Sequence, residues 1–155
     1  MPSFTSTATF RKSPRRSVLA ILAVAVGVSL APTASVQAQD AGAAPALAPL
    51  TFIAAQVAQG RGIFGNSCTG CHGSDLRGVD GPPLIGGAFD RWFAGPVGTL
   101  FSYVQAGMPL TDPGTLTATQ TAALLAYILE NNDFVAGETA MPTDADALAQ
   151  MGFTQ

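Results

Sequence analysis

The chain has 155 residues, the length of a single domain, with 7 basic against 10 acidic side chains and a formal charge of −3. This balance supplies no basic stripe for a phosphate backbone and little attraction for an anionic membrane, so neither nucleic acid nor a lipid surface is an expected partner. Two cysteines and one histidine are the whole supply of thiol and imidazole, so any such chemistry is confined to the place where they meet.

Near the start, Arg11, Lys12, Arg15 and Arg16 precede an apolar run from Val18 to Ala31, and Val36-Gln37-Ala38 offers small residues for cleavage. This order predicts a secretory signal peptide over residues 1–38. A bilayer-spanning helix needs roughly 20 apolar residues, more than this run provides, so stable membrane insertion is not expected once the signal is cleaved. Arg15-Arg16-Ser17-Val18-Leu19 also matches a twin-arginine signal, which leaves two export routes in play. Either route places the protein in the periplasm. Cleavage leaves no lysine, and the remaining chain has 3 arginines against 10 acids. Such acidity suits a basic or neutral docking face, and equally it keeps an exported protein soluble.

Residues 39–50 are rich in Ala, Gly and Pro without periodicity and read as a flexible linker, followed by the folded domain over 51–155. Thr51 is placed to cap a helix from about Phe52 to Ser67. Ile53, Val57, Gly60 and Phe64 share one face of that helix, and the glycine permits a second helix to approach closely.

The helix ends on Cys68-Thr69-Gly70-Cys71-His72. Two thiols three positions apart and an adjacent imidazole meet the requirements of covalent haem attachment, with each sulfur joined to one vinyl group and the histidine approaching the iron. Three other readings compete. A dithiol redox site usually accompanies a βαβ pattern, a closed zinc site wants four ligands where three are present, and a structural disulfide leaves the histidine unexplained. Haem is normally attached after translocation, which favours export of the unfolded chain over the twin-arginine route.

Beyond His72 the chain turns rich in glycine and proline up to Gly87, a loop able to lie flat against an apolar ligand. A prolyl carbonyl in it is suited to accept the proton on the other ring nitrogen of the histidine. Phe89, Trp92 and Phe93 supply bulk for a core or a haem wall. Pro96 opens a helix containing Leu100, Phe101, Tyr103 and Val104, and Gly107 closes it. Met108-Pro109 follows directly. A second histidine and a lysine are both lacking after cleavage, so a thioether is the available sixth iron ligand. Met108 has the constrained loop setting for it, with Met141 or an open site as alternatives and a core methionine as the plain reading.

Thr117-Ala118-Thr119-Gln120 is a capping box that opens the most regular helix, with Leu124, Tyr127 and Ile128 on one face, Leu125 and Leu129 widening it, and Asn131-Asn132 at its end. Thr143 and Asp146 suggest a last short helix that seats Leu148. No segment reads as a strand, so the expected class is all-α.

Over roughly Gln56 to Leu148 the chain resembles the monohaem class I cytochromes c. Gly60-Arg61-Gly62-Ile63-Phe64, the Cys68–His72 motif, Gly81-Pro82-Pro83-Leu84-Ile85-Gly86 and Leu124-Leu125-Ala126-Tyr127-Ile128 stand in that family's order. The resemblance implies helices packed around one covalently bound haem c, with crossed N- and C-terminal helices meeting at Gly60, Phe64, Leu124 and Tyr127. It implies iron held by His72 and Met108, thioethers at Cys68 and Cys71, a Pro82 carbonyl on His72, and Leu84 and Trp92 against the haem. Cys71-His72-Gly73-Ser74-Asp75-Leu76-Arg77-Gly78, Met108-Pro109-Leu110-Thr111-Asp112 and Ala126-Tyr127-Ile128-Leu129-Glu130-Asn131-Asn132 are similar to cytochromes that serve quinoprotein alcohol dehydrogenases. That likeness implies an electron carrier between a dehydrogenase donor and an oxidase or another cytochrome, or the cytochrome subunit of such a complex. A haem enzyme or gas sensor would require an open iron site instead. The lysine-rich docking face of mitochondrial cytochrome c is absent, so its partners do not carry over.

Overall fold

The computed structural model describes residues 46–154, so the expected signal peptide over 1–38 and most of the linker over 39–50 lie outside the described residues. In chain order the elements are β1 (Ala48–Pro49), α1 (Ala54–Ser67), α2 (Thr69–His72), α3 (Val97–Gly107), α4 (Ala118–Glu130), α5 (Ala145–Ala149) and β2 (Met151–Gly152), with a 3-10 turn over Asp90–Ala94 between α2 and α3. Among the described residues no helix is long and apolar enough to cross a membrane.

The centre of the fold is the crossing of α1 and α4. Helix α4 opens with the expected capping box: the Thr117 hydroxyl accepts the Gln120 N–H at 3.2 Å, and the Gln120 carboxamide accepts the Thr117 N–H at 2.9 Å. Every residue from Thr121 to Leu129 is buried, so this helix is packed on all sides. Helix α1 turns Val57, Gly60 and Phe64 inward. At Gly60 a Cβ would stand 2.9 Å from Tyr127 Cβ and closer still to the Ala123 carbonyl, so the absence of a side chain sets the separation of the two helices. Phe64 and Tyr127 then meet with ring centroids 5.3 Å apart. Burying such rings contributes roughly 1.5–3 kcal/mol each.

Helix α1 begins later than its sequence suggests. Phe52 and Ile53 are extended, with the Gly137 N–H donating to the Phe52 carbonyl at 2.8 Å in a parallel bridge, so the helix cannot start at Phe52 and Thr51 is not its cap. Gln56 replaces it by accepting the Ile53 N–H at 3.2 Å. The same side chain holds both backbone groups of Met141, at 2.8 and 3.0 Å. A similar shift occurs at α5, where the Asp144 carboxylate, not Thr143, accepts the Ala147 N–H at 3.0 Å. Leu148 is buried as expected.

Two short strands depart from the all-helical expectation. β1 pairs in parallel with β2, Ala48 opposite Met151 and Pro49 opposite Gly152. The Leu50 N–H adds a bond to the Thr154 carbonyl at 2.8 Å, and Leu50 is buried. The last residues of the expected linker are therefore docked against the C-terminal end of the domain. Phe93 gathers Phe89, Phe134 and Phe153 at centroid distances of 5.8, 5.1 and 5.0 Å, an aromatic extension of the core that supports the 3-10 turn.

Candidate functional site

Residues 68–72 form a single helical turn, closed by bonds from the Cys71 and His72 N–H groups to the Cys68 carbonyl at 3.2 and 2.9 Å. Spacings of three and four residues bring Cys68, Cys71 and His72 to the same side of that turn. All three line one partly open cavity.

The loop after His72 folds back over the motif. The Val79 and Gly81 N–H groups both donate to the Cys71 carbonyl, at 2.9 and 2.8 Å. A Cβ on Gly81 would lie 3.1 Å from His72 Cε1, so glycine lets the backbone come this close to the ring. The next carbonyl, that of Pro82, lies 2.8 Å from His72 Nδ1. A carbonyl only accepts, so Nδ1 carries the proton and Nε2 keeps its lone pair, the tautomer that a metal ligand requires.

Most of the remaining wall is apolar and comes from separate elements. Phe64 on α1, Leu84 and Phe89 on the loop, Leu100 and Val104 on α3, and Leu124 and Ile128 on α4 line the cavity. Met108 joins them from the end of α3, its N–H bound to the Val104 carbonyl at 2.9 Å. Met141 does not line this cavity. It is buried beside the start of α1, with its backbone held by Gln56. Thus the seven residues singled out from sequence, Cys68, Cys71, His72, Pro82, Leu84, Trp92 and Met108, share one site.

The competing readings of the motif fare poorly on the geometry. Both cysteines are free thiols, Cys68 half-buried and Cys71 exposed. Burial, followed by the neighbouring Cys71, pushes the Cys68 thiol up to about 11, so it is protonated at neutral pH and ill suited to dithiol exchange. Among the described residues no group of three or more His, Cys, Asp or Glu side chains is placed to hold a metal ion, so a zinc site lacks its ligands. A largely apolar cavity lined by two thiols, a histidine of fixed tautomer and a thioether fits haem in its donor chemistry.

Several lining residues were not evident from sequence. Tyr103 lies within α3 as expected, is 52% exposed, and packs its ring 4.8 Å from Trp92 at the cavity wall. Arg91 also lines the cavity, its guanidinium 5.7 Å from the Trp92 ring. Its adjacency to Trp92 was the available signal. Asn132 holds the loop from the end of α4, a role that local sequence does not reveal.

A family model described as cytochrome c oxidase, cbb3-type, subunit III matches residues 55–128. Cytochrome c-551 of Bacillus subtilis (strain 168) is 46% identical over 39 residues, which is 24% of this chain and 35% of that protein. The match therefore spans about a third of that relative. Among solved structures, the sulfane dehydrogenase SoxCD from Paracoccus pantotrophus aligns with a TM-score of 0.49 at 26% identity, covering 83% of this chain and 67% of that one. The mostly helical architecture, the cavity and the family match over residues 55–128 are consistent with the class I cytochrome c fold.

Proposed function

We propose that the protein is a periplasmic electron carrier with one haem c, attached through Cys68 and Cys71 and ligated by His72 and Met108. The observation that carries this reading is the convergence of those four side chains, from two separate parts of the chain, on one apolar cavity. When bound, haem iron supplies a one-electron Fe(II)/Fe(III) couple. The chain's own residues set its conditions. His72 presents Nε2 because the Pro82 carbonyl holds the Nδ1 proton, and that bond raises the basicity of the ring. Met108 would supply a soft thioether, which favours the reduced state and would leave no open position for a substrate or gas. The apolar lining excludes water, which also raises the potential.

The donor in this reading is a dehydrogenase of the quinoprotein alcohol type, and the acceptor is an oxidase or another cytochrome. The sequence resemblance supports the donor. A second reading makes the protein the cytochrome subunit of an oxidoreductase complex whose catalytic site is on a partner, and the oxidase subunit named by the family model favours it. Purification from the native periplasm separates the two: a free shuttle comes alone, and a subunit comes with its dehydrogenase or oxidase. Both readings require a closed iron. The reduced protein should therefore leave its spectrum unchanged under carbon monoxide at neutral pH, and rapid binding would favour an open-site haem enzyme or sensor instead.

A further inference from the structure

The Pro82 carbonyl, which orients His72, belongs to a stretch that has difficulty holding itself. Pro82 and Pro83 carry no N–H, so two successive residues give the loop no donor. On one side the backbone is fastened by the Val79 and Gly81 N–H groups on the Cys71 carbonyl. On the other side the Leu84 N–H donates to the Leu76 carbonyl at 2.8 Å. Further along, the Gly86 carbonyl accepts the Phe89 and Asp90 N–H groups at 2.7 and 3.2 Å, and one side chain ties this stretch to α4. Asn132 Nδ2 donates to the Leu84 carbonyl at 2.9 Å, and Asn132 Oδ1 accepts the Gly86 N–H at 3.1 Å.

The second proton on Asn132 Nδ2 goes to the Ile128 carbonyl at 2.9 Å, so the amide is itself anchored to the last turn of α4. Each partner has fixed polarity: Gly86 only donates, and the Leu84 and Ile128 carbonyls only accept. A planar group with two donors and one acceptor satisfies all three, and a carboxylate of the same shape satisfies only one. The adjacent Asn131 provides a natural comparison. Its Nδ2 donates to the Tyr127 carbonyl at 2.8 Å, the same helix-ending bond within α4.

We infer that Asn132 is a positioning residue for haem ligation: by tethering Leu84 and Gly86 to α4 it holds the Pro82 carbonyl on His72 Nδ1. This role rests on the proposed ligation of iron by His72. Asn132 itself touches no iron and acts only through the loop.

The test uses the haem-loaded, reduced full-length protein and follows solvent exchange of the His72 Nδ1 proton by NMR, together with the buried α4 amides of Leu125 and Leu129. In Asn132→Asp, which loses both donors, the Nδ1 proton should exchange roughly tenfold faster or more, the factor that corresponds to one lost hydrogen bond. Asn132→Ala should do the same without adding charge, and it serves if the aspartate variant does not accumulate. Asn131→Ala should exchange as the wild type does. Wild-type exchange in both Asn132 variants would overturn the assignment. So would an equal loss of protection at Leu125 and Leu129, because that would make Asn132 a general stability residue. A wild-type protein without covalent haem would sink the parent reading and this one together, whereas normal haem with unaltered exchange overturns only the role of Asn132.

Discussion

Substituting Gly60 by alanine sets two effects of known size against each other. In an exposed helical position the change is favourable by about 1 kcal/mol, because alanine is the better helix former. At Gly60, however, the new Cβ would stand 2.6 Å from the Ala123 carbonyl carbon and 2.9 Å from Tyr127 Cβ. Contacts below 3.0 Å are essentially never tolerated, and here the obstruction is α4 backbone, so the two helices must separate. Overpacking of this kind costs typically about 1–3 kcal/mol, and an obstruction that cannot rotate away belongs at the upper end. Burial at the crossing weakens as well when Phe64 and Tyr127 move apart. The net expectation is a loss of about 2 kcal/mol, or a fall in Tm of roughly 8 °C or more for a domain near this size. Gly62 lies in the same helix with nothing within 4 Å of its Cβ position, so Gly62→Ala should instead gain about 1 kcal/mol. Thermal unfolding of wild type, Gly60→Ala and Gly62→Ala by far-ultraviolet circular dichroism separates the two outcomes. A Gly60→Ala variant as stable as Gly62→Ala would refute the close crossing.

The two methionines give opposite expectations. Met108→Ala should abolish the weak sulfur-to-iron charge-transfer absorption and lower the reduction potential, with an optical redox titration as the check. Met141→Ala should leave that absorption intact while costing about 2–5 kcal/mol in denaturant unfolding, because a buried side chain is removed. Thr117→Ala removes the capping bond of α4 and should lower stability by about 1 kcal/mol without altering the haem spectrum.

The parts of the fold that were readable in advance are those governed by short-range pattern. The capping box at Thr117, the apolar face of Val57, Gly60 and Phe64, and the Cys68–His72 turn all depend on spacings within one or two helical turns. The parts that were not readable depend on distant partners. Thr51 has the chemistry of a cap, but pairing of Phe52 and Ile53 with the segment at Gly137 moved the start of α1. Ala48 and Pro49 carry no strand signal, and their pairing arises because the C-terminal residues return alongside them. Within the site, Cys68, Cys71 and His72 announced themselves by composition. Met108 emerged because few other ligands were available, and its presence in the cavity, apart from Met141, depended on the packing of α3. Asn132 reaches residues 46 and 48 positions away, and nothing local distinguishes it from Asn131.

The central claim is that Cys68 and Cys71 tether a haem in this cavity, and the intact mass of the denatured protein tests it most directly. Protein purified from a host able to attach haem should carry the mass of one haem after denaturation and reduction. The Cys68→Ser/Cys71→Ser double variant should lose that mass. A wild-type chain that denatures to its bare polypeptide mass, or a double variant that retains the haem, would contradict the account.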